Sequence, residues 1–428
     1  MKYSGSIIAI VFLLSGFVCA QTPIGGLEGA INTLGAALKN KDIALAGKTF
    51  APDFSISTGT WPAAKSLLNT ILENLKFESV EFDMADIQEG ADTTFVKVKF
   101  ILAEGQPQES VVAFDKEKRI LFIDYFDRLF GHSRYRKPRL AGTLPFISKG
   151  GSIVLEIKLN NDGRSLLFLL DTGADGMAIT KELADSLKLE IDCVQDANVV
   201  GGQAWVSISS GNTVHLSDSM SLSNQKIAIF EKVRHDLDGI IGLNLVKQYI
   251  TGIDFDNRLI RLYSFGDYRY ASESKIIKVS TPYNLILAPA TLNLTGKKEV
   301  TGHFLVDTGA NYHLIAFSDF VRKNRLLLSG FKPESQSATV SLGHVTPVYN
   351  GKAFGFSLAG GITQSDMPVT LQASNGKAAA GNTPDGSIGI QFWSKYNLII
   401  DLLKKEIHLL PRNSVWPESC FLHANDAD

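Results

Sequence analysis

Several absences narrow what this chain does before any motif is read. Of its three cysteines, Cys19 lies in the N-terminal leader, which leaves Cys193 and Cys420 as a single pair able to bond in an oxidising compartment. A formal net charge of −2 over 428 residues gives no electrostatic case for nucleic acid. No segment beyond the N-terminus is apolar for long enough to cross a bilayer. Neither His-Glu-x-x-His nor Gly-x-Ser-x-Gly occurs, and the eight histidines, His303, His313 and His344 among them, are scattered without ligand spacing, so no metal or other cofactor is expected. Gly47-Lys48-Thr49 resembles the end of a phosphate-binding loop, but Asp42 stands where that loop needs glycine and the segment reads as a helix terminus. The remainder, 45% hydrophobic, is a globular chain with ample core and room for two to four domains.

What is present is a tetrapeptide that occurs twice. Asp-Thr-Gly-Ala runs from Asp171 to Ala174 and again from Asp307 to Ala310. A chance Asp-Thr-Gly is expected roughly once per 5,000 positions at average residue usage, so two copies at matched places ask for another account. Each follows an apolar run, Leu166 to Leu170 and Phe304 to Val306, which predicts a buried strand, a reversal at Thr-Gly and a carboxylate at the strand tip. A second repeat follows each copy and aligns without a gap from Asp238 and from Asp385. Asp238/Asp385, Gly239/Gly386, Ile241/Ile388, Gly242/Gly389, Tyr249/Tyr396, Ile253/Ile400, Asp254/Asp401, Ile260/Ile407 and Leu262/Leu409 are identical pairs. The sequence therefore predicts a duplicated lobe. Asp238, Asp254, Asp385 and Asp401 are read as turn and strand-edge residues.

Over residues 143 to 412 these motifs resemble the retropepsin-like aspartic proteases and, by extension, the two-lobed pepsin-like enzymes. The resemblance implies an all-β fold in which each lobe supplies one Asp-Thr-Gly and a later apolar-apolar-Gly strand, matched by Ile240-Ile241-Gly242 and, with one departure, by Ser387-Ile388-Gly389. That serine is expected to weaken packing more than chemistry. The resemblance further implies that Asp171 and Asp307 form the catalytic pair, that Thr172 and Thr308 brace the two loops, and that Gly173 and Gly309 give room and amides near the carboxylates. A flap over the substrate is expected in the hairpin from Asn198 to Val214, with Gly201 and Gly202 at its tip and Trp205 beside it. The stretch around Gly343 is the weaker equivalent in the second lobe. Pepsin-like motifs usually carry Ser or Thr where this chain has Ala174 and Ala310, and losing those donors predicts a pH optimum above theirs.

Two carboxylates held about 3 Å apart cannot both ionise and so share a proton, which makes an acid and a base together. One takes a proton from a water while the other hydrogen-bonds the substrate carbonyl. The expected activity is that of an aspartic endopeptidase acting on peptide or protein as a monomeric catalytic unit; the rival is a peptide-binding or scaffold protein on the same fold that has lost turnover.

Around this unit the expected organisation is a signal peptide at 1–20, an α+β roll at 21–130, a basic linker at 131–142, lobes at 143–268 and 269–412, and a tail at 413–428. Lys2, the apolar run Ile7 to Val18 and the small-residue site Val18-Cys19-Ala20 predict a secreted or periplasmic protein, with Val18 too bulky to favour lipidation of Cys19. Between 21 and 130, two helical stretches precede four segments read as strands, the last being the one from Leu121 to Phe130. That order resembles the nuclear-transport-factor-like and SnoaL-like rolls, which leaves a small ligand, a partner or a scaffold role open. The cluster Arg134, Arg136, Lys137 and Arg139 is read as an exposed linker, the alternatives being a processing site or a prosegment whose cations pair with the active-site carboxylates to hold the enzyme inactive.

Overall fold

Alternating and continuous apolar runs in the larger part of the chain form strands that bury one another. The computed structural model describes residues 26–199, 202–231, 236–341, 344–373, 384–414 and 416. The leader with Cys19, Gly201, Gly343 and Cys420 lie outside the described residues. Two compact units are found, one of 1–51 with 72–121 and the other of 52–71 with 122–428.

In the first unit the helix Gly26–Lys39 buries Leu27, Ile31, Leu34 and Leu38, spaced three to four residues apart on one face. Gly35 brings that helix close to Val80 on the strand Phe77–Glu89. Phe77–Glu89, Thr94–Leu102 and Gln108–Phe114 follow as an antiparallel meander. A second helix, Ile43–Gly47, starts where the side chain of Asp42 accepts from Leu45 N and ends at Gly47, which places Gly47-Lys48-Thr49 at a helix terminus as its sequence implied.

The segment from Leu121 to Phe130, expected as a strand, divides. Ile120–Ile123 is extended and Asp124–Leu129 is helical. Asp124 sits in the first helical turn, where its charge suits the helix N-terminus, and pairs four residues on with Arg128. An apolar run this short fits either period, and the local ion pair favours the helix.

The second unit holds two sheets that share one order over seven strands, the first carrying an eighth at its edge. Across the first the order is Cys193–Val199, Gly202–Ser217, Met220–Phe230, Met177–Thr180, Gly239–Ile241, Leu166–Leu170, Ser152–Leu159 and Ile147–Lys149. Across the second it is Ser335–Ser341, His344–Leu358, Ile362–Gln372, Leu314–Ala316, Gly386–Ile388, Glu299–Val306 and Leu287–Asn293. One apolar core runs beneath both, with Phe168 and Phe304 fully buried at aligned positions.

A third sheet joins the two halves. The hairpin of Ile250–Asp254 and Leu259–Tyr263 pairs with the hairpin of Tyr396–Asp401 and Glu406–Pro411. Gly252 pairs with Ile399, the residue it aligns with in the repeat, and Thr251 and Ile253 pair symmetrically with Ile400 and Leu398. Asp254 and Asp401 close the two turns: Asp254 accepts from Asn257 N at 2.9 Å and Asp401 from Lys404 N at 3.0 Å. Arg258 and Lys405, again aligned, both take a left-handed conformation there. These aspartates are turn formers, as expected.

The basic segment is only partly exposed. Arg136, Lys137 and Arg139 face solvent, but Arg134 is buried, donating to Asp127 at 2.6 Å and to Leu403 O at 2.7 Å. Its charge is consumed by a buried carboxylate that would otherwise be unpaired, so Arg134 is a structural residue and neither a free linker cation nor a partner of the motif aspartates. Nearby, Lys405 Nζ donates to Ser57 O at 3.0 Å and Leu402 O at 2.8 Å. Although the residue as a whole is half-buried, burial of the amine, aided by the Arg134 charge, lowers its pKa from the usual 10.5 to about 7.

The unfolded chain keeps the lysine proton up to about pH 10.4, so between about pH 7 and that value it binds more protons than the folded chain, and this group makes stability rise with pH. Lys405→Met removes that dependence. Its stability relative to wild type should be greatest near pH 6 and decline towards pH 9, measured by urea unfolding; a difference that does not vary with pH would contradict the assignment.

Candidate active site

Each Asp-Thr-Gly-Ala begins where a buried strand runs out. Leu166–Leu170 lies between Ser152–Leu159, antiparallel, and Gly239–Ile241, parallel. Glu299–Val306 lies in the same way between Leu287–Asn293 and Gly386–Ile388. The ladder carries into the motif, because Asp171 N donates to Ile241 O and Asp307 N to Ile388 O, both at 3.0 Å. After the reversal, Ala174 O accepts from Leu243 N and Ala310 O from Ile390 N, both at 2.9 Å. A Cβ on Gly242 would collide with Ala174 O, and one on Gly389 with Ala310 O, so the apolar-apolar-Gly pattern exists to let the two loops touch. At the strand edges Asp238 accepts from Leu167 N at 2.7 Å and Asp385 from His303 N at 2.8 Å, which gives both the structural role expected of them.

The two motifs meet through their threonines. Thr172 Oγ1 donates to Val306 O at 2.7 Å and accepts from Thr308 N at 3.0 Å. Thr308 Oγ1 donates to Leu170 O at 2.8 Å and accepts from Thr172 N at 3.1 Å. Both side chains are completely buried, so every donor and acceptor here has its partner in the opposite repeat.

That brace brings the carboxylates together. Gly173 N donates to Asp171 at 2.8 Å and Gly309 N to Asp307 at 3.0 Å. A Cβ on Gly173 would lie 2.8 Å from Asp307 Cγ, and one on Gly309 would strike the Asp171 carboxylate, so each loop passes against the opposite aspartate. Asp171 and Asp307 are themselves in side-chain hydrogen-bond contact. Burial pushes the Asp307 carboxyl up, opposed by hydrogen bonds from Ser387, from the amides of Gly309 and Ala310 and with Asp171. Carboxyl groups held this close are able to share one proton, an acid beside a base.

Two residues of this site carried no expectation of chemistry. Ser387 Oγ donates to Asp307 Oδ2 at 3.1 Å, and Tyr312 Oη lies 3.4 Å from the same oxygen and in hydrogen-bond contact with Ser387. Ser387 was expected to matter mainly for packing; instead its hydroxyl reaches the carboxylate, because Gly386–Ile388 runs parallel to the strand that ends at Asp307. The signal for both lay in mismatches of the repeat, where Ser387 aligns with Ile240 and Tyr312 with Gly176. The hydroxyl that Ala310 lacks thus arrives from a different strand, so Asp307 does have a hydroxyl donor.

The expected flap is a hairpin at the sheet edge: Cys193–Val199 pairs with Gly202–Ser217, and Gly202 is opposite Val199. Trp205 pairs with Asp196 and is 75% exposed, so it does not cover the core. Ser335–Ser341 with His344–Leu358 forms the matching hairpin in the second sheet, although its sequence signalled it less clearly. Cys193 is exposed. Among the described residues no helix is long and apolar enough to cross a membrane, and no cluster of three or more His, Cys, Asp or Glu is placed to hold a metal ion.

Residues 155–245 match the sequence profile of the aspartyl protease family. Among curated proteins no match is found. Among solved structures the chain is similar to an aspartic proteinase from Irpex lacteus, at 13% identity over 64% of this chain and 97% of that one, with a TM-score of 0.43. The profile match supports an aspartic protease-like fold for that segment, which contains Asp171 and the strand ending at Ile241.

Replacing Thr172 by Val keeps the shape and strips the hydroxyl, leaving Val306 O and Thr308 N buried without that partner. The expected cost is about 2–5 kcal/mol in equilibrium unfolding, with Thr172→Ser largely restoring it. A loss below about 0.5 kcal/mol, within the range of ordinary surface changes, would remove the brace from its central role.

Proposed function

We propose that the protein is an aspartic endopeptidase built from a duplicated lobe, with Asp171 and Asp307 sharing one proton and activating a water against a peptide carbonyl. The observation that carries this reading is the contact between the two carboxylates under the reciprocal threonine bonds. One carboxylate takes a proton from the water, the water oxygen adds to the carbonyl carbon, and the proton of the other carboxylate passes to the carbonyl oxygen, giving a gem-diol. Thr172, Thr308, Gly173 and Gly309 hold the geometry, and the exposed hairpin with Trp205 closes over the substrate. The family match over 155–245 supports hydrolase chemistry. The leader-like N-terminus supports a periplasmic or extracellular setting, and the order of helices and strands after it supports an α+β roll preceding the catalytic unit in the chain.

Asp171→Asn and Asp307→Asn are nearly isosteric, and each should abolish peptide hydrolysis in a protein that remains folded by circular dichroism. Turnover at the wild-type rate by either variant would defeat the shared-proton assignment, and a wild type that binds a statine-type inhibitor but cleaves no peptide would favour a binding protein on this fold.

Both aspartates belong to one chain, so specific activity should not change on dilution to about nanomolar enzyme, far below micromolar association. A steep loss on dilution, together with a dimer-to-monomer shift in sedimentation, would mean that the site is assembled from two chains.

A further inference from the structure

The two repeats pin their loops alike but fill the space beside them differently. In the first, a Cβ on Gly242 would strike Ala174 O and Gly176 O; in the second, one on Gly389 would strike Ala310 O and Tyr312 O. Gly176 and Tyr312 therefore occupy the same backbone position, as the alignment of the two motifs places them. From that position the Tyr312 ring lies against Gly389, where its Cδ2 would be 2.8 Å from an added Cβ. Its hydroxyl reaches Ser387 and, at 3.4 Å, Asp307 Oδ2. A Cβ added to Gly176 meets nothing within 4 Å. What lies beneath differs accordingly. Ser387 is wholly buried, whereas the aligned Ile240 rests on Val154, Leu169 and Leu237 and stays partly open to solvent.

Resting on the protease reading above, we propose that Tyr312 is a specificity-determining residue whose ring plugs, beside Asp307, the slot that Gly176 leaves open beside Asp171, so that the peptide taken carries a large apolar side chain on one flank of the scissile bond only. The scissile carbonyl must stand between the two carboxylates, so the residues on its two sides lie one towards each motif. On the open side Ile240 offers a hydrocarbon floor, and the neighbouring charge of Asp175 is already paired with Lys247. An aliphatic or aromatic side chain there takes Ile240 out of water, while a charged one would give up its hydration against a hydrocarbon wall. On the other side a large residue would have to displace a ring held at its hydroxyl end and seated on Gly389, so a small residue is taken.

The test is a cleavage profile on a peptide library, read at the two positions that flank the cut. Wild type should accept large apolar residues at one flank and disfavour them at the other by about tenfold or more in kcat/KM, the discrimination that an apolar pocket gives against a group it does not fit. Tyr312→Ala should lift that restriction, and Tyr312→Phe, which keeps the ring and loses only the hydroxyl, should preserve it. Gly176→Tyr, built into open space, should impose the same restriction on the open flank. A wild type that takes large apolar residues equally at both flanks would overturn the proposal, as would a Tyr312→Ala enzyme with the wild-type profile or a Tyr312→Phe enzyme that loses it. If Tyr312→Ala does not fold, Gly176→Tyr decides alone, because it must close the open flank. Calorimetry with peptide analogues that carry an uncleavable reduced bond, and leucine on the first flank, on the second or on both, reads the slot without turnover. One single-leucine analogue should bind wild type about tenfold more tightly than the other two. Selective binding by a wild type that cleaves no peptide would sink the protease reading and leave the slot standing, equal binding would sink the slot, and no binding would sink both.

Discussion

Two carboxyl groups will not stay side by side unless the backbone beneath them has no freedom to part, and the four hydrogen bonds between Thr172 and Thr308 and the opposite strand ends remove that freedom. Each threonine satisfies groups in the other repeat, so neither loop is complete alone. The strands beneath serve this arrangement. Gly239–Ile241 and Gly386–Ile388 hold the motif strands from one side, and glycine at 242 and 389 lets the loops descend onto them. The pair is therefore a product of the core and not of the loops that display it.

Much of this was legible because it repeats. Asp171 with Asp307, the strands before them, and the aligned runs from Asp238 and Asp385 all announced themselves by occurring twice, and the structure puts the two aspartates in contact. What escaped was whatever broke the repeat. Ser387 and Tyr312 sit where the first copy has Ile240 and Gly176, and a comparison built on matches treats such positions as noise. A mismatch that places a hydroxyl next to a carboxylate is where the two repeats part company. The helix Asp124–Leu129 escaped for a different reason: its apolar spacing suits two periods, and the Asp124–Arg128 ion pair that selects between them is local electrostatics and not pattern. Arg134 shows the limit of composition, since a cluster of cations gave no sign that one member would be drawn inside by Asp127.

The Ser387 hydroxyl at Asp307 also bears on how far repeated segments can differ while the sheets that carry them keep one strand order. The brace, the strand order and the aligned glycines are shared by the two halves, whereas Ser387 and Tyr312 stand where the first repeat has Ile240 and Gly176. The threonine brace ties each half to the other, but the residues above it can change singly, as Ser387 beside Asp307 has.

The central sheet carries a further implication for the chain in pieces. Because Gly252 pairs with the residue aligned to it, and Thr251 and Ile253 flank that point symmetrically, the edge along Ile250–Asp254 is matched to an edge of its own kind. Such an edge is self-complementary in the sense of an isologous contact, able to accept a second copy of itself in place of its covalent partner. A fragment that kept this strand without Tyr396–Asp401 would expose an unpaired ladder of the register that two identical halves need to recognise each other. The covalent link between the halves is thus a form of internal chaperoning: it keeps the matching edge at high effective concentration and denies it to neighbouring molecules.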